Sequence, residues 1–232
     1  MSTHASIFPN LKTILVRIPK TASTSINKHL YVCDCQQRDF GKKPRPARVC
    51  ASSMEAYKHN TIIETRALCP KELYGISYKV AFVRNPWDWV LSYYWHYGEE
   101  FMRENTFRDF LSGIPETLLK PRCDRLPWHN IMPQMPQYEY IINENGEIEV
   151  DFIGKYENLH EDWRQLCSKL GIDKNKWAKR GSHLTRAATL ILPHKNRNPV
   201  SRKYYRNYYT DVEIEMVYNL YKKDINMFNY EF

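Results

Sequence analysis

Apolar residues along the chain fall into two kinds of run. Thr13-Ile14-Leu15-Val16-Arg17-Ile18 is β-branched and mostly apolar, as a parallel strand covered on both faces should be, and Pro19 ends it. Ala22, Ile26 and Leu30 then recur at helical spacing. The same order returns downstream. Tyr78 to Arg84 reads as a second buried strand, followed by Asn85 as N-cap, Pro86 at the first helical position and Asp88 in the first turn of a helix through Tyr97. Met54 to Leu68 reads as helical and carries His59 and Glu64, and Asn105 to Gly113 reads as a short helix. Tyr138–Ile142 and Ile148–Ile153 read as strands joined at Asn145-Gly146. Asn158, with Glu161 as capping-box partner, opens a helix with an apolar face of Leu159, Trp163, Leu166 and Leu170, ended by Gly171. Thr210 and Glu213 cap a last helix that buries Ile214, Val217, Tyr221 and Ile225. Arg38–Arg48 reads as an exposed loop, and Ile114 to Pro136, with five prolines, as irregular. Strands alternating with helices predict an α/β fold, a central mostly parallel sheet flanked by helices. The length of 232 residues predicts a single domain, 1–232.

Chemistry concentrates where the first strand meets the first helix. Lys20-Thr21-Ala22-Ser23-Thr24-Ser25 puts a lysine and four hydroxyls at a helix N-terminus, where free N–H groups and the helix dipole attract an anion. That is a cradle for phosphate or sulfate. No GxxxxGK[ST] loop occurs, which counts against an ordinary kinase or ATPase. Arg84 stands at the end of the second strand, and Ser92, seven residues after Asn85, returns to that side of the helix. A guanidinium and a hydroxyl converging there suit a phosphate monoester.

Charge sharpens this reading. The net charge is +8, yet ten Lys or Arg and no Asp or Glu lie between Lys174 and Thr210, so an anionic partner is expected. Lys120, Arg122, Arg125, Trp128 and His129, in the proline-rich segment, are candidate acceptor contacts. The six cysteines lack CxxC spacing, which speaks against zinc and for reduced cytosolic thiols. No signal peptide and no run of about 18 apolar residues is visible, so a cytoplasmic chain without a membrane span is expected.

Arg17-Ile18-Pro19-Lys20-Thr21-Ala22-Ser23-Thr24-Ser25 closely resembles the 5′-phosphosulfate loop of sulfotransferases that use 3′-phosphoadenosine 5′-phosphosulfate (PAPS). It is most similar to the carbohydrate group, sulfotransferase family 2, and its soluble microbial members. Val83-Arg84-Asn85-Pro86-Trp87-Asp88 with Ser92 resembles that family's 3′-phosphate element. Phe152 to Leu159 resembles it too, although arginine and phenylalanine are more usual than Lys155 and Tyr156. Leu192 to Arg197 and Tyr205 to Asp211 resemble the C-terminal region that covers the cofactor, so Asn196 and Arg197 join the expected donor contacts. The likeness is patchy between Gly98 and Pro136.

The resemblance implies a P-loop-like fold and in-line transfer of a sulfuryl group from PAPS to an acceptor hydroxyl, most simply on a carbohydrate, with no metal required. Lys20 would stabilise charge on the leaving side, and His59, whose placement resembles that of a family histidine, would be the general base. Glu64 is the non-histidine alternative, and His96, His129, His183 and His194 also compete. Two other classes stay open. An atypical small-molecule kinase would turn over ATP with magnesium, whereas a basic nucleic-acid-binding module built on Tyr204, Tyr205, Tyr208 and Tyr209 would bind long polyanions in a salt-sensitive way.

Overall fold

Both expected strands form, and they lie side by side. The computed structural model describes residues 6–36, 59–119, 135–172 and 202–232. It comprises two compact units, Met1–Val83 with Tyr140–Lys195, and Arg84–Glu139 with Asn196–Phe232.

The first unit holds a four-stranded sheet in the order β1 (Ile7–Phe8), β2 (Thr13–Val16), β3 (Tyr78–Val83), β4 (Phe152–Lys155). β1 is antiparallel to β2, while β2, β3 and β4 run parallel in the registers Leu15↔Val80 and Ala81↔Ile153. Every residue of β2 is buried, which explains why the run carries no polar alternation. Among the described residues four helices belong to this unit: α1 (Ser23–Gln36), α2 (Ile62–Leu68), α3 (Lys71–Ile76) and α7 (Leu159–Lys169). Ile26, Leu30 and Cys33 of α1 and Leu159, Trp163 and Leu166 of α7 join Leu15, Val80 and Phe82 in one core. Burying each such aliphatic side chain contributes ~1.5–3 kcal/mol. β3 and β4 approach so closely that a Cβ on Gly154 would stand 2.3 Å from the Phe82 ring, so only glycine fits opposite that phenylalanine.

The second unit is helical, with α4 (Pro86–Tyr94), α5 (Gly98–Glu104), α6 (Phe107–Leu119) and α8 (Asp211–Phe228). Trp89 packs edge-on against Tyr93 and Tyr221, at centroid distances of 5.1 and 5.4 Å. Arg108 donates to Glu213, the residue that also completes the capping box with Thr210.

Several boundaries differ from the sequence reading. β2 stops at Val16, where the Ile18 N–H turns back onto the Val16 carbonyl (3.2 Å) and takes Arg17 off the ladder. β3 likewise ends before Arg84. The α4 helix tightens into a 3₁₀ turn over Trp95–Tyr97. The Tyr138–Ile142 strand does not form, and of Ile148–Ile153 only Phe152 and Ile153 are in a strand, as the start of β4: Gln137–Tyr140 is a 3₁₀ turn, and one Ile142↔Ile148 bridge is all of the hairpin ladder, with Gly146 at φ +80° in its turn. Asn158 precedes α7 without capping it through its side chain, and Asp162 accepts the Lys155 N–H instead (2.5 Å). The α6 helix starts after a Thr106–Asp109 side-chain cap and runs through Pro115, because Phe110, Leu111 and Ile114 keep a buried stripe. Ile214 is half-buried rather than buried. Of the Met54–Leu68 helix, Ile62–Leu68 is seen, started by the Thr61–Glu64 capping box, and residues 54–58 lie outside the described residues.

Candidate active site

In the first unit the segment expected to cradle an anion consists of a strand end, a turn and a helix start. Beyond Val16 the buried Arg17 donates from one terminal nitrogen to Thr24 Oγ1 (3.4 Å), while its Nε is buried with no hydrogen-bond partner among the described residues. Burial lowers the Arg17 pKa to about 10. Lys20 and Ala22 both take left-handed backbone, φ +63° at each, separated by Thr21. Alternating handedness turns successive N–H groups toward one concavity, the arrangement that holds anions in other folds. Thr21 ties the turn down by donating to the Ile18 carbonyl (2.9 Å). The Ala22 carbonyl receives the N–H groups of Ser25 (2.9 Å) and Ile26 (3.2 Å), so α1 starts there with the orphan donors of its first turn around Ser23 and Thr24. Ser23 is buried, and Lys20, Thr24 and Ser25 are half-buried.

His59 comes to this turn from 42 residues away: its Nδ1 donates to the Arg17 carbonyl at 2.6 Å. A carbonyl only accepts, so Nδ1 carries the proton and the neutral ring has its lone pair on Nε2. Glu64, the other candidate base, binds the Thr61 N–H (2.7 Å) and hydroxyl (3.1 Å) in the cap of α2.

In the second unit Arg84 is buried, 1% exposed, between the end of β3 and the N-cap of α4. Asn85 accepts the Trp87 N–H (3.1 Å), as its place before Pro86 implies. The Arg84 guanidinium meets Asp88 Oδ2 through Nε (2.7 Å) and a terminal nitrogen (2.6 Å). Asp88 and Ser92 stand four residues apart on one face of α4. Ser92 Oγ and Asp88 Oδ1 are buried with no hydrogen-bond partner among the described residues. The expected Arg84–Ser92 grouping therefore has a carboxylate between its members in sequence, with its charge answered by Arg84. Arg17 Nε in the first unit and Ser92 Oγ in the second are each a buried side-chain donor lacking an acceptor among the described residues, and each on its own suits an anionic oxygen such as that of a phosphate or sulfate group.

Gln137 and Asp224 are the residues sequence reasoning missed. Gln137 clamps the Arg84 main chain, donating to its carbonyl and accepting from its N–H at 2.8 Å each, and Asp224 holds the turn that carries Gln137. The one available signal was Asp224 itself, a carboxylate within the Val217, Tyr221, Ile225, Phe228 stripe.

Asn196, Arg197, the acceptor candidates Lys120, Arg122, Arg125, Trp128 and His129, and His183 and His194 lie outside the described residues; His96 is exposed. Among the described residues no cluster of three His, Cys, Asp or Glu could hold a metal, and no helix is long and apolar enough to cross a membrane.

No solved structure matches the chain. An uncharacterised protein of Archaeoglobus fulgidus is 32% identical over 103 residues, covering 44% of this chain and 74% of that relative. The sulfotransferase family model matches residues 3–231, and with that span the chain belongs to the sulfotransferase family.

Proposed function

We propose that this protein transfers a sulfuryl group from PAPS to a hydroxyl of a carbohydrate, in the cytoplasm, with residues 1–232 acting as one sulfotransferase domain of P-loop-like type. The observation that carries the reading is the hydrogen bond from His59 to the Arg17 carbonyl, which brings the expected base onto the turn expected to hold the donor. The thiols of Cys33 and Cys167, free of disulfides, accord with the cytoplasm.

When bound, PAPS supplies an activated sulfuryl group whose bond to the 5′-phosphate oxygen breaks as the acceptor oxygen bonds to sulfur. The chain's own residues do three things. His59 Nε2 takes the acceptor hydroxyl proton, and the Nδ1–H bond to Arg17 fixes the ring and supports the imidazolium that results. Lys20 and the N–H groups of Thr21, Ala22, Ser23, Thr24 and Ser25 hold the 5′-side charge, which grows on the leaving phosphate, and Arg17 adds its guanidinium. Arg84 and Ser92 bind the 3′-phosphate, and Asn196 and Arg197 complete the donor contacts. A transfer assay with ³⁵S-labelled PAPS against glycan, phenol, lipid and tyrosine-peptide hydroxyls tests this reading. Label on a glycan is expected; label on none of these acceptors would overturn it.

A further inference from the structure

Arg84 stands between two regular elements, after the last residue of β3 and before the N-cap of α4, so its peptide lies outside both the strand and the helix. The Gln137 side chain binds that peptide from both sides. Its amide uses both ends on one residue, Oε1 accepting the Arg84 N–H and Nε2 donating to the Arg84 carbonyl, each at 2.8 Å. Gln137 is in turn seated by α8, where Asp224 Oδ2 accepts the Gln137 N–H (2.8 Å) and Oδ1 accepts the Tyr138 N–H (2.7 Å). Both side chains are fully buried, at 0% exposure. A carboxylate there is costly: burial raises the Asp224 pKa to about 7, with Glu139 pushing the same way, while the two backbone N–H groups and Lys223 oppose. An apolar residue would continue the α8 stripe without that cost, so the bonds to residues 137 and 138 are what the carboxylate contributes. Asp88 fixes the other end of Arg84 through Nε. The guanidinium is thus held from its main chain and from its head, and a tilt of the Gln137 turn would break both amide bonds at once.

We propose that Gln137 and Asp224 form a positioning relay that sets the Arg84 guanidinium for a 3′-phosphate, and so determine the preference for a 3′-phosphorylated nucleotide. This rests on the reading of Arg84 given above. If the bonds only anchored a turn, losing them would lower stability and leave nucleotide preference alone.

The test is calorimetry of the full chain with 3′,5′-diphosphoadenosine and adenosine 5′-phosphate, for wild type, Arg84→Ala, Asp224→Asn and Gln137→Met, each checked by circular dichroism and melting. Gln137→Met keeps the main-chain bonds to Asp224, so it carries the test should Asp224→Asn not fold. The relay predicts that a folded Gln137→Met or Asp224→Asn loses roughly tenfold or more of the ratio of the two affinities, the range seen for residues that orient a binding group, with adenosine 5′-phosphate binding unchanged. Folded variants that keep the wild-type ratio, while Arg84→Ala loses it, would overturn the relay and leave the donor reading standing. Equal affinity of the wild type for the two nucleotides would overturn the donor reading and the relay with it.

Discussion

Replacing His59 separates two jobs that its imidazole combines. Its Nδ1–H holds the Arg17 carbonyl at 2.6 Å, and its Nε2 is the proposed proton acceptor. Alanine removes both. Asparagine places an amide N–H near the Nδ1 position, keeping the bond to Arg17 while supplying no base. The half-buried hydrogen bond contributes about 1 kcal/mol, which for a chain of this length moves Tm by roughly 2–4 °C. A positioned general base contributes roughly 10²–10⁴ in rate, or about 3–5 kcal/mol of barrier. His59→Ala should therefore melt lower and turn over at least about a hundredfold more slowly. His59→Asn should melt near wild type, bind 3′,5′-diphosphoadenosine normally and be as slow as alanine. Both variants should lose the acid limb of the pH–rate profile, because that limb reports protonation of the base. The measurements are kcat at saturating PAPS and acceptor across pH, with melting curves alongside. A His59→Asn enzyme with wild-type kcat would refute the assignment of the base.

Lys20→Ala should fold and lose about two orders of magnitude in kcat, since a donor aimed at growing charge contributes roughly 3 kcal/mol; wild-type turnover by the folded variant would count against the cradle. Gly154→Ala drives a methyl into Phe82 and should cost ~1–3 kcal/mol in urea unfolding, with an unchanged midpoint contradicting the packing of β3 on β4. Asp224 gives a pH signature. Its pKa is about 7 folded against 3.8 as the ordinary value, so the folded chain keeps a proton that the unfolded chain has released. This group's contribution therefore falls as pH rises from about 4 to about 7, by up to ~1.4 kcal/mol per pH unit, and is flat above. Melts across that window should show the slope in wild type and a shallower one in Asp224→Asn; equal slopes would refute it.

What the sequence disclosed was whatever a short window encodes. β2 and β3 follow from short, mostly apolar runs, the α4 start from Asn85-Pro86, and the ends of α7 and α8 from Gly171 and the Thr210–Glu213 box. The Thr61–Glu64 box was equally local, but the helical pattern upstream of it drew the predicted start back to Met54. β1, with two residues, has no periodicity to detect, and the Tyr138–Ile142 strand yielded to the pull of Asp224 on two successive amides. The site divides the same way. Its residue types lie in contiguous motifs, but the His59–Arg17 bond and the Gln137 clamp span 42 and 53 residues and exist only through the fold.

The left-handed backbone at Lys20 and Ala22 has a thermodynamic corollary. Neither residue is glycine, and that basin costs an L-residue about 1–2 kcal/mol, so a peptide cut out as residues 13–30 would not hold the concavity. Only the packed sheet and α1 impose it. Affinity for the anion and the folded fraction are then a single linked quantity, and a nucleotide bound at a hundred times its Kd should stabilise the chain by about 2.7 kcal/mol. Thermal-shift titration with 3′,5′-diphosphoadenosine would accordingly measure the proposed cradle with no acceptor in the assay.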